Sequence, residues 1–544
     1  MRNLRKRFTA ALCAVVMAAA LLPGQVWAEE LTAAPAEEPS QAPAEVQAVE
    51  EETTAAEAVE EEPEDAVPET AVWLRSDPTT HELVEVDLPA DAATSWEDIL
   101  GQNIATLNED GLGEDDEWIE RYFDLVTVPR YGFEMIKDNS DARYIYNIIM
   151  ALATINAPSN AWFIPYSIDS DINCSPDNAA LAMHAFIADY PEMFWSEPMY
   201  GINDAGDRCT AVAIVYNKHQ ENVFTERDAF LTAVDGILAG MPDGSDYEKE
   251  LYLHDTLIKN VIYDMDCAEE QNAYSALVNG RAVCAGYASA FEYLLMRAGI
   301  ESYYVVGKSH GEGHAWNLAK IGGQWYYVDL TWDDPQMKDE NQNLIESPYS
   351  PHYAYFNITT EMLTQDHDLS GQPENVPLPE CNSINAFYHN VNHSIVTTQE
   401  GLMDRVVATL RYNQGEARLY ADGIDAAEIL NWYIEDNIFN AIRNALGATG
   451  NISFGGGVAG NECVLIFKGS FVPPPVGELN GIGDVDITDM QLLYQYLTTD
   501  TVPHDQTTLS LDAFLQNANV NGDKDGVIDV YDLQLLYEMV NGLV

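Results

Sequence analysis

A cysteine near the middle of the chain stands where a reactive thiol is expected. Cys284 follows a turn at residues 279–281 and begins a run with helical apolar spacing that Gly299 closes. The thiol is therefore predicted to lie at a helix N-terminus, where unpaired N–H groups and the helix dipole lower a thiol pKa and can bind an oxyanion. A cysteine on an apolar helix is more often a core residue, so this interpretation depends on partners elsewhere in the chain.

Two such partners lie on strands that a pair of glycines joins. Residues 322–323 are Gly-Gly, which predicts a two-residue hairpin turn in which His314 faces Thr331 and Trp316 faces Asp329. His314 and Asp329 are then diagonal neighbours on one face of the sheet, roughly 7 Å apart between backbones. A carboxylate in that place can hold the imidazole tautomer while the other ring nitrogen takes the thiol proton.

These residues resemble the transglutaminase-like superfamily. The resemblance is carried by AVCAGYASAFEYLL at 282–295 and GHAWNLAKIGGQWYYVDLTWDDP at 313–335, with Tyr263-Asp264 upstream and a segment containing His367 downstream. It covers roughly residues 185–390 and implies a papain-like fold, in which a helix that carries the cysteine packs on an antiparallel sheet that carries histidine and aspartate. The family includes cross-linking enzymes, deamidases, proteases, peptide:N-glycanases and inactive binding domains, so the motifs leave the reaction open.

The resemblance also implies roles for single residues. Cys284 is the expected nucleophile, His314 the general base and acid, and Asp329 the group that orients the histidine, with no cofactor needed for catalysis. Tyr263 and Trp316 are assigned to the oxyanion site or the substrate groove. His310, in the preceding glycine-rich loop, is a rival base. Expected substrates are proteins or peptides.

An internal repeat at the C-terminus predicts two calcium loops. The segments 489–494 and 532–537 match at an offset of about 43 residues, and each follows an acidic loop. Side-chain and carbonyl oxygens in the second loop have the alternating spacing that calcium prefers. Its expected ligands are Asn521, Asp523, Asp525, Val527, Asp529 and Asp532. The first loop has Ile482 at one ligand position, so we expect weaker binding there by Glu478, Asn480, Asp484, Asp486 and Asp489.

Two loop-helix units of this kind resemble a dockerin. The resemblance implies that Ca2+ folds the module and that the module binds a cohesin domain on the scaffold protein of a cellulosome-like complex. The residues at the positions that dockerins use for partner recognition are Ile487, Thr488, Val530 and Tyr531.

The expected fold class is a multidomain α+β protein. The predicted segments are a signal peptide at 1–28, a disordered acidic Ala/Glu/Pro linker at 29–71, a mostly helical region at 72–245, the transglutaminase-like domain at 246–384, a small α/β domain at 385–470, a proline linker at 471–476 and the all-α, EF-hand-like dockerin at 477–544. Single elements are also predicted, among them one helix over 426–446.

Composition restricts the partners and the compartment. The basic start, the apolar run and the cleavage site at residues 26–28 predict export to the outside of the cell, and no later run is long enough to span a membrane. A net charge of −64, from 25 Lys+Arg against 89 Asp+Glu, argues against nucleic acid as a partner. The few, widely spaced cysteines do not predict a disulfide scaffold.

The sequence therefore favours an exported thiol enzyme that performs acyl transfer or amide hydrolysis and is tethered through a dockerin. A catalytically inactive binding module of the same complex is the alternative. A glycoside hydrolase is suggested only by the proteins that usually carry dockerins, and no carboxylate pair in the chain stands out for that reaction.

Overall fold

The structure is a computed structural model of the 544-residue chain. It describes residues 72–76, 83–86, 126–154, 163–168, 174–203, 205–216, 223–265, 271–338, 344–347, 349–371, 376, 378–392, 394–413, 415–471, 476–480, 485–499, 502, 507, 511–520 and 528–541. The predicted signal peptide, the acidic linker and most of the proline linker lie outside these residues. Among the helices described, none has the length and apolarity needed to cross a bilayer.

The N-terminal region combines a sheet with helices. Its antiparallel sheet has the strand order β2-β1-β4-β5-β3. The strands are β1 Val72–Ser76, β2 Leu83–Val86, β3 Phe163–Ser167, β4 Ser196–Ile202 and β5 Cys209–Tyr216, and the helices are α1 Tyr131–Ile136, α2 Ser140–Thr154, α3 Pro176–Asp189 and α4 Val223–Leu238. The region predicted as mostly helical thus also contains a five-stranded sheet, of which only β5 has a run of β-branched residues long enough to be recognised alone.

The central region places one helix against a second antiparallel sheet. This sheet has the order β13-β10-β9-β8-β14. The strands are β6 Ile262–Tyr263, β7 Arg281–Ala282, β8 Ser302–Ser309, β9 Glu312–Ile321, β10 Gln324–Val328, β11 Gln336–Lys338, β12 Leu344–Glu346, β13 Phe356–Ile358 and β14 His367–Asp368, and the helices are α5 Asp246–Asn260, α6 Cys284–Arg297, α7 Thr360–Leu363 and α8 Tyr388–Val391, with a π-helical turn at Ser275–Asn279.

Helix α6 is tied to this sheet by buried polar contacts. The Asn317 side chain on β9 donates to the Ala288 carbonyl at 3.0 Å and to Glu292 at 3.1 Å, both on α6. Ser302 on β8 donates to the same Glu292 at 3.0 Å. Because these groups are buried, each contact fixes the helix against the strands rather than merely touching it.

One hydrophobic core joins the N-terminal and central regions. It runs from Ile136 and Phe186 through Tyr200 to Phe291 and Phe356 without a break. The two regions, predicted as separate segments with a boundary at 245, therefore share one core. Through this core the N-terminal region packs against α6.

Residues 385–470 form a small α/β unit with its own core. Its sheet has the order β15-β16-β18-β17, with strands β15 Ile395–Val396, β16 Glu416–Ala421, β17 Thr449–Ala459 and β18 Glu462–Ser470. Its helices are α9 Leu402–Tyr412, α10 Ala426–Tyr433 and α11 Asp436–Ala445. The single helix predicted over 426–446 is thus two helices, since Glu435 has an extended backbone that ends one and starts the other.

The C-terminal module is all-α in the part that the structure describes. Helices α12 Ile487–Thr499, α13 Leu511–Ala518 and α14 Val530–Val540 pack on a third, separate core that includes Leu493, Phe514 and Leu536.

Candidate active site

The thiol of Cys284 lies at the first residue of α6. Val283, the residue before the helix, is extended at φ −104° and ψ −174°, and no side chain caps the helix start through it. The preceding strand β7 is held parallel to β6, with the Asp264 N–H donating to the Ala282 carbonyl at 3.0 Å. The predicted position of the cysteine at a helix N-terminus is confirmed.

Gly286 allows α6 to approach the segment that precedes it. A Cβ atom at this position would lie 2.6 Å from the Ala282 Cβ and 3.1 Å from the Asn272 carbonyl oxygen. Any side chain here would push the first turn of the helix away from β7, so the glycine sets where the sulfur lies.

The glycine hairpin has the predicted register. Gln324 pairs with Ile321 and Val328 with Asn317, so that the two glycines form the turn. This register brings the buried side chains of His314 and Asp329 together, with 2.6 Å between His314 Nε2 and Asp329 Oδ2.

The other oxygen of Asp329 is anchored to the backbone. Oδ1 accepts the N–H groups of Thr331 at 2.9 Å and Trp332 at 3.2 Å. The carboxylate therefore cannot rotate without losing two hydrogen bonds, and Oδ2 is held toward the imidazole.

The thiol of Cys284 is hydrogen-bonded to the His314 ring, whose Nε2 already faces Asp329, so Nδ1 is the nitrogen left for the sulfur. Burial lowers the pKa of His314, but the charge and hydrogen bond of Asp329 and the contact with Cys284 outweigh it and raise the pKa to about 10. The pKa of Asp329 shifts the other way: burial raises it, and the charges and hydrogen bonds of the neighbouring imidazoles lower it well below its usual range. Sulfur, imidazole and carboxylate thus form one hydrogen-bonded series.

A second imidazole touches the same carboxylate. His367 on β14 places Nε2 3.1 Å from Asp329 Oδ2 and Nδ1 2.5 Å from Asp366 Oδ1. The sequence identified His367 only through the family resemblance and assigned it no role. His367 pairs with Ser309 on β8, which lies 58 residues earlier in the chain. No local sequence pattern predicts that pairing.

The donor atoms of His314, Asp329 and His367 lie within 4.8 Å of one another, which is the spacing of some metal sites. Both imidazoles, however, direct Nε2 at the same oxygen of an ionised carboxylate, which can only accept hydrogen bonds. Both nitrogens must then carry protons. The cluster is held by N–H···O bonds, and the described residues give no reason to assign a metal to it.

Comparison with known proteins identifies this part of the chain. The family model of the transglutaminase-like superfamily matches residues 235–330, which include Cys284, His314 and Asp329. The chain contains a transglutaminase-like domain.

Two curated relatives match over short stretches. They are the kyphoscoliosis peptidases of Mus musculus, 30% identical over 105 residues, and of Homo sapiens, 25% identical over 163 residues. The matches cover 16% and 26% of this chain and 16% and 24% of the respective relatives, so the chain spans at most about a quarter of their length. A crystal structure of a TGase is 15% identical and covers 35% of this chain and 54% of that one, with a TM-score of 0.18 that carries no argument about function.

Two further residues of the transglutaminase-like domain, Trp316 and Tyr263, were assigned to the oxyanion site or the substrate groove. Trp316 is only 1% exposed, with its ring 5.7 Å from that of His314 and 5.1 Å from that of His367. A ring this buried does not line an open substrate groove, and it packs instead against the two imidazoles and Gly307. Tyr263 is half-buried beside Tyr287, with ring centroids 6.2 Å apart.

Trp332 is a further aromatic ring beside the site. It is half-buried and lies 6.5 Å from the His314 ring and 5.1 Å from the ring of His310. His310 itself is exposed in the turn between β8 and β9, with a positive φ of 51°. The buried series from the thiol runs through His314 and not through this rival histidine.

The C-terminal module repeats one local arrangement at both predicted loops. The Asp486 N–H donates to Asp489 Oδ2 at 2.8 Å, and the Asp529 N–H donates to Asp532 Oδ2 at 2.9 Å. Asp489, Asp532, Glu478 and Asn480 are buried, whereas Ile487, Thr488, Val530 and Tyr531 are exposed. The other predicted ligands, Asp484, Asn521, Asp523, Asp525 and Val527, lie outside the described residues.

Proposed function

We propose that the transglutaminase-like domain is a thiol enzyme that transfers acyl groups from amides of proteins or peptides. The observation that carries the proposal is the series from the Cys284 thiol through His314 to Asp329 at the start of a helix, with 2.6 Å between imidazole and carboxylate. Cys284 is the nucleophile, His314 the acid and base, and Asp329 the group that holds the imidazole in its working tautomer.

The reaction proceeds in two halves. The Cys284 thiolate attacks the amide carbonyl carbon, the C–N bond breaks, and the His314 imidazolium gives its proton to the leaving amine, so that a thioester remains. Water or a second amine then attacks the thioester while His314 takes up the attacking group's proton, and the thiolate leaves. Water gives hydrolysis or deamidation, and a primary amine gives a cross-link.

The helix start supports the charged steps. Backbone N–H groups in the first turn of α6 point toward the start of the helix and carry the positive end of the helix dipole. A carbonyl oxygen placed beside Cys284 would meet these donors as its negative charge develops. The raised pKa of His314, about 10, favours the imidazolium that accompanies a thiolate at neutral pH.

The test measures the two alternative outcomes, amine transfer and hydrolysis, separately in the full chain. One assay follows incorporation of a fluorescent primary amine into a glutamine-containing peptide, and the other follows hydrolysis of a peptide library by mass spectrometry. Cys284→Ala is expected to abolish whichever activity the wild type has. Cys381→Ala, which removes a buried free thiol outside the series, is the matched control.

Retention of full activity by Cys284→Ala would remove the assignment of the nucleophile. Absence of any amide chemistry in the wild type, together with an unreactive Cys284, would favour the alternative of a catalytically inactive binding module.

We also propose that the protein is exported and docks through its C-terminal module onto a cohesin-bearing scaffold of a cellulosome-like complex. The basic, apolar and small-residue pattern of residues 1–28 supports export. The repeated carboxylate arrangement supports two loops of one kind, and the exposed Ile487, Val530 and Tyr531, with relative exposures of 52%, 65% and 68%, support a docking face.

Calcium fits the described part of these loops. Glu478, Asp489 and Asp532 are carboxylates at least 99% buried, and a buried carboxylate favours a hard cation that accepts oxygen ligands. Bound Ca2+ would neutralise these charges and tie the loop to the helix that follows it. The residues that would hold it are those predicted for the two loops, with the backbone oxygen of Val527 among them.

Docking is tested by capture of the full chain on a panel of immobilised cohesin domains, with Ca2+ and with a chelator. Binding that requires Ca2+ and falls at least about tenfold in Val530→Asp is expected, since a charge replaces an apolar contact at the centre of the face. Equal capture in chelator, or no capture by any cohesin, would count against docking.

A further inference from the structure

His367 shares the carboxylate that orients His314. Nε2 of each ring meets the same Oδ2 atom of Asp329, at 2.6 Å for His314 and 3.1 Å for His367. The two ring centroids are 5.4 Å apart, and His367 is only 4% exposed. The series Cys284–His314–Asp329 therefore omits His367, although His367 is in direct contact with Asp329.

The hydrogen-bond pattern decides the charge of His367. Its other nitrogen, Nδ1, lies 2.5 Å from Asp366 Oδ1, so both ring nitrogens face carboxylate oxygens. A neutral imidazole has one N–H and cannot donate to both, whereas an imidazolium has two. Burial lowers the pKa of this ring, but hydrogen bonds to Asp329 and Asp366 outweigh it, and the net shift is upward.

The contacts of Asp366 continue to Tyr355 and a small cavity. Tyr355 donates its hydroxyl to Asp366 Oδ2 at 2.5 Å. Tyr355 and Asp366 line a small cavity with Tyr420 and Asn461 of the α/β unit. The cavity has a volume of ≈ 20 Å³, which suffices for one water molecule.

The backbone is shaped to bring His367 close. Gly307 on β8 faces β14, and a Cβ atom there would lie 2.4 Å from the Asp368 carbonyl oxygen. Only a glycine permits this approach of the two strands.

We propose that His367 is a positioning residue of the candidate active site: as an imidazolium held by Asp366, it fixes the Asp329 carboxylate behind His314 and sets the charge around the Cys284–His314 pair. The proposal rests on the proposed function, since it assigns a part in the same thiol chemistry.

The titratable or charged groups that face the His367 ring are Asp329 after β10, Asp366 before β14, His314 on β9 and Tyr355 before β13. Lys308 on β8 is in register with the adjacent Asp368.

The test is the pH profile of alkylation of Cys284 by iodoacetamide, followed by peptide mass spectrometry in the full chain. A unit charge within roughly 10 Å, at an effective dielectric constant of about 20, interacts strongly enough to move a midpoint by about one pH unit. His367→Gln removes a positive charge that stabilises the Cys284 thiolate. The midpoint of the alkylation profile on its acid side is therefore expected to rise by about one pH unit. Asp366→Asn is expected to shift it in the same direction by less.

Asp368→Asn is the matched control, because this carboxylate is two residues from Asp366, is exposed and bonds only to Ser370 among the contacts described. A purely structural role for His367 would lower the alkylation rate at every pH without moving the midpoint. Profiles of His367→Gln and Asp366→Asn that superimpose on the wild type would overturn the proposal. A wild-type Cys284 that alkylates no faster than the other cysteines would instead overturn the proposed function. If His367→Gln does not fold, Asp366→Asn decides alone.

Discussion

Asp329→Asn is the change whose effect the structure specifies most closely. It removes one charge and turns one carboxylate oxygen into an NH2 group. Asp329 Oδ1 accepts the N–H groups of Thr331 and Trp332, so the amide oxygen must stay there and the NH2 must face the imidazoles. An NH2 group donates, which forces His314 Nε2 to accept and moves its proton to Nδ1. The nitrogen that faces the thiol then cannot take up a proton.

The charge term acts in the same direction. The pKa of His314 is about 10 against an ordinary 6.5, and this difference corresponds to about 5 kcal/mol in favour of the imidazolium. Asp329 supplies the largest share of the upward shift, while burial opposes it. Asp329→Asn therefore removes both the tautomer of His314 that can take up the thiol proton and the ion pair that stabilises the imidazolium. We expect kcat/KM to fall by about 10³–10⁴, as the same change does in the triads of serine enzymes, with KM little altered.

The assay is amine incorporation, or peptide hydrolysis if that is the activity found, with circular dichroism to verify the fold. Asp334→Asn is the control, because Asp334 is also buried and accepts a hydrogen bond from the Tyr287 hydroxyl at 2.6 Å, which an amide oxygen can accept equally well. We expect the control to stay within about tenfold of the wild type, on the scale of an uncharged hydrogen bond. A folded Asp329→Asn enzyme with activity within tenfold of the wild type would refute the tautomer argument.

The remaining predictions concern the buried charges that join the α/β unit to the transglutaminase-like domain. Glu462 is fully buried and lies 3.0 Å from His352 and 3.4 Å from Arg418, so Glu462→Gln is expected to lower the free energy of unfolding by about 3–5 kcal/mol in urea titrations. Glu416→Gln removes a partly exposed partner of the same arginine and is expected to cost less than about 1 kcal/mol; equal costs would contradict the role of burial. Burial lowers the pKa of His389 to about 4, below its unfolded value, so its contribution is complete above about pH 6.5 and is lost as the pH falls toward 4, by about 3 kcal/mol. His389→Gln should flatten this part of the pH profile of unfolding, and an unchanged slope would show that other groups cause it.

The sequence was sufficient for the parts of the site that local rules govern. Two adjacent glycines determine a hairpin register, and that register alone brings His314 and Asp329 onto one face. The start of α6 at Cys284 follows from the turn before it and the apolar spacing after it. These features need no information about distant parts of the chain.

The features that the sequence missed depend on long-range pairing. β1 pairs with β4 across more than a hundred residues, and neither strand is long or β-branched enough to be recognised by itself. His367 reaches Asp329 because β14 pairs with β8, and its ring then packs against Trp316, which the family resemblance assigned to the oxyanion site or the substrate groove. The break between α10 and α11 occurs at Ile434 and Glu435, where no glycine or proline marks it.

The central claim is that Cys284 carries the acyl group, and the most direct measurement is the mass of the enzyme during turnover. The full chain, mixed rapidly with an activated acyl ester and quenched in acid, is expected to gain one acyl group that maps to Cys284 and that hydroxylamine removes, as it removes thioesters. The adduct should be absent in Cys284→Ala and should accumulate in Asp329→Asn only slowly. Turnover without any acyl adduct on Cys284, or an adduct spread over several cysteines, would contradict the account.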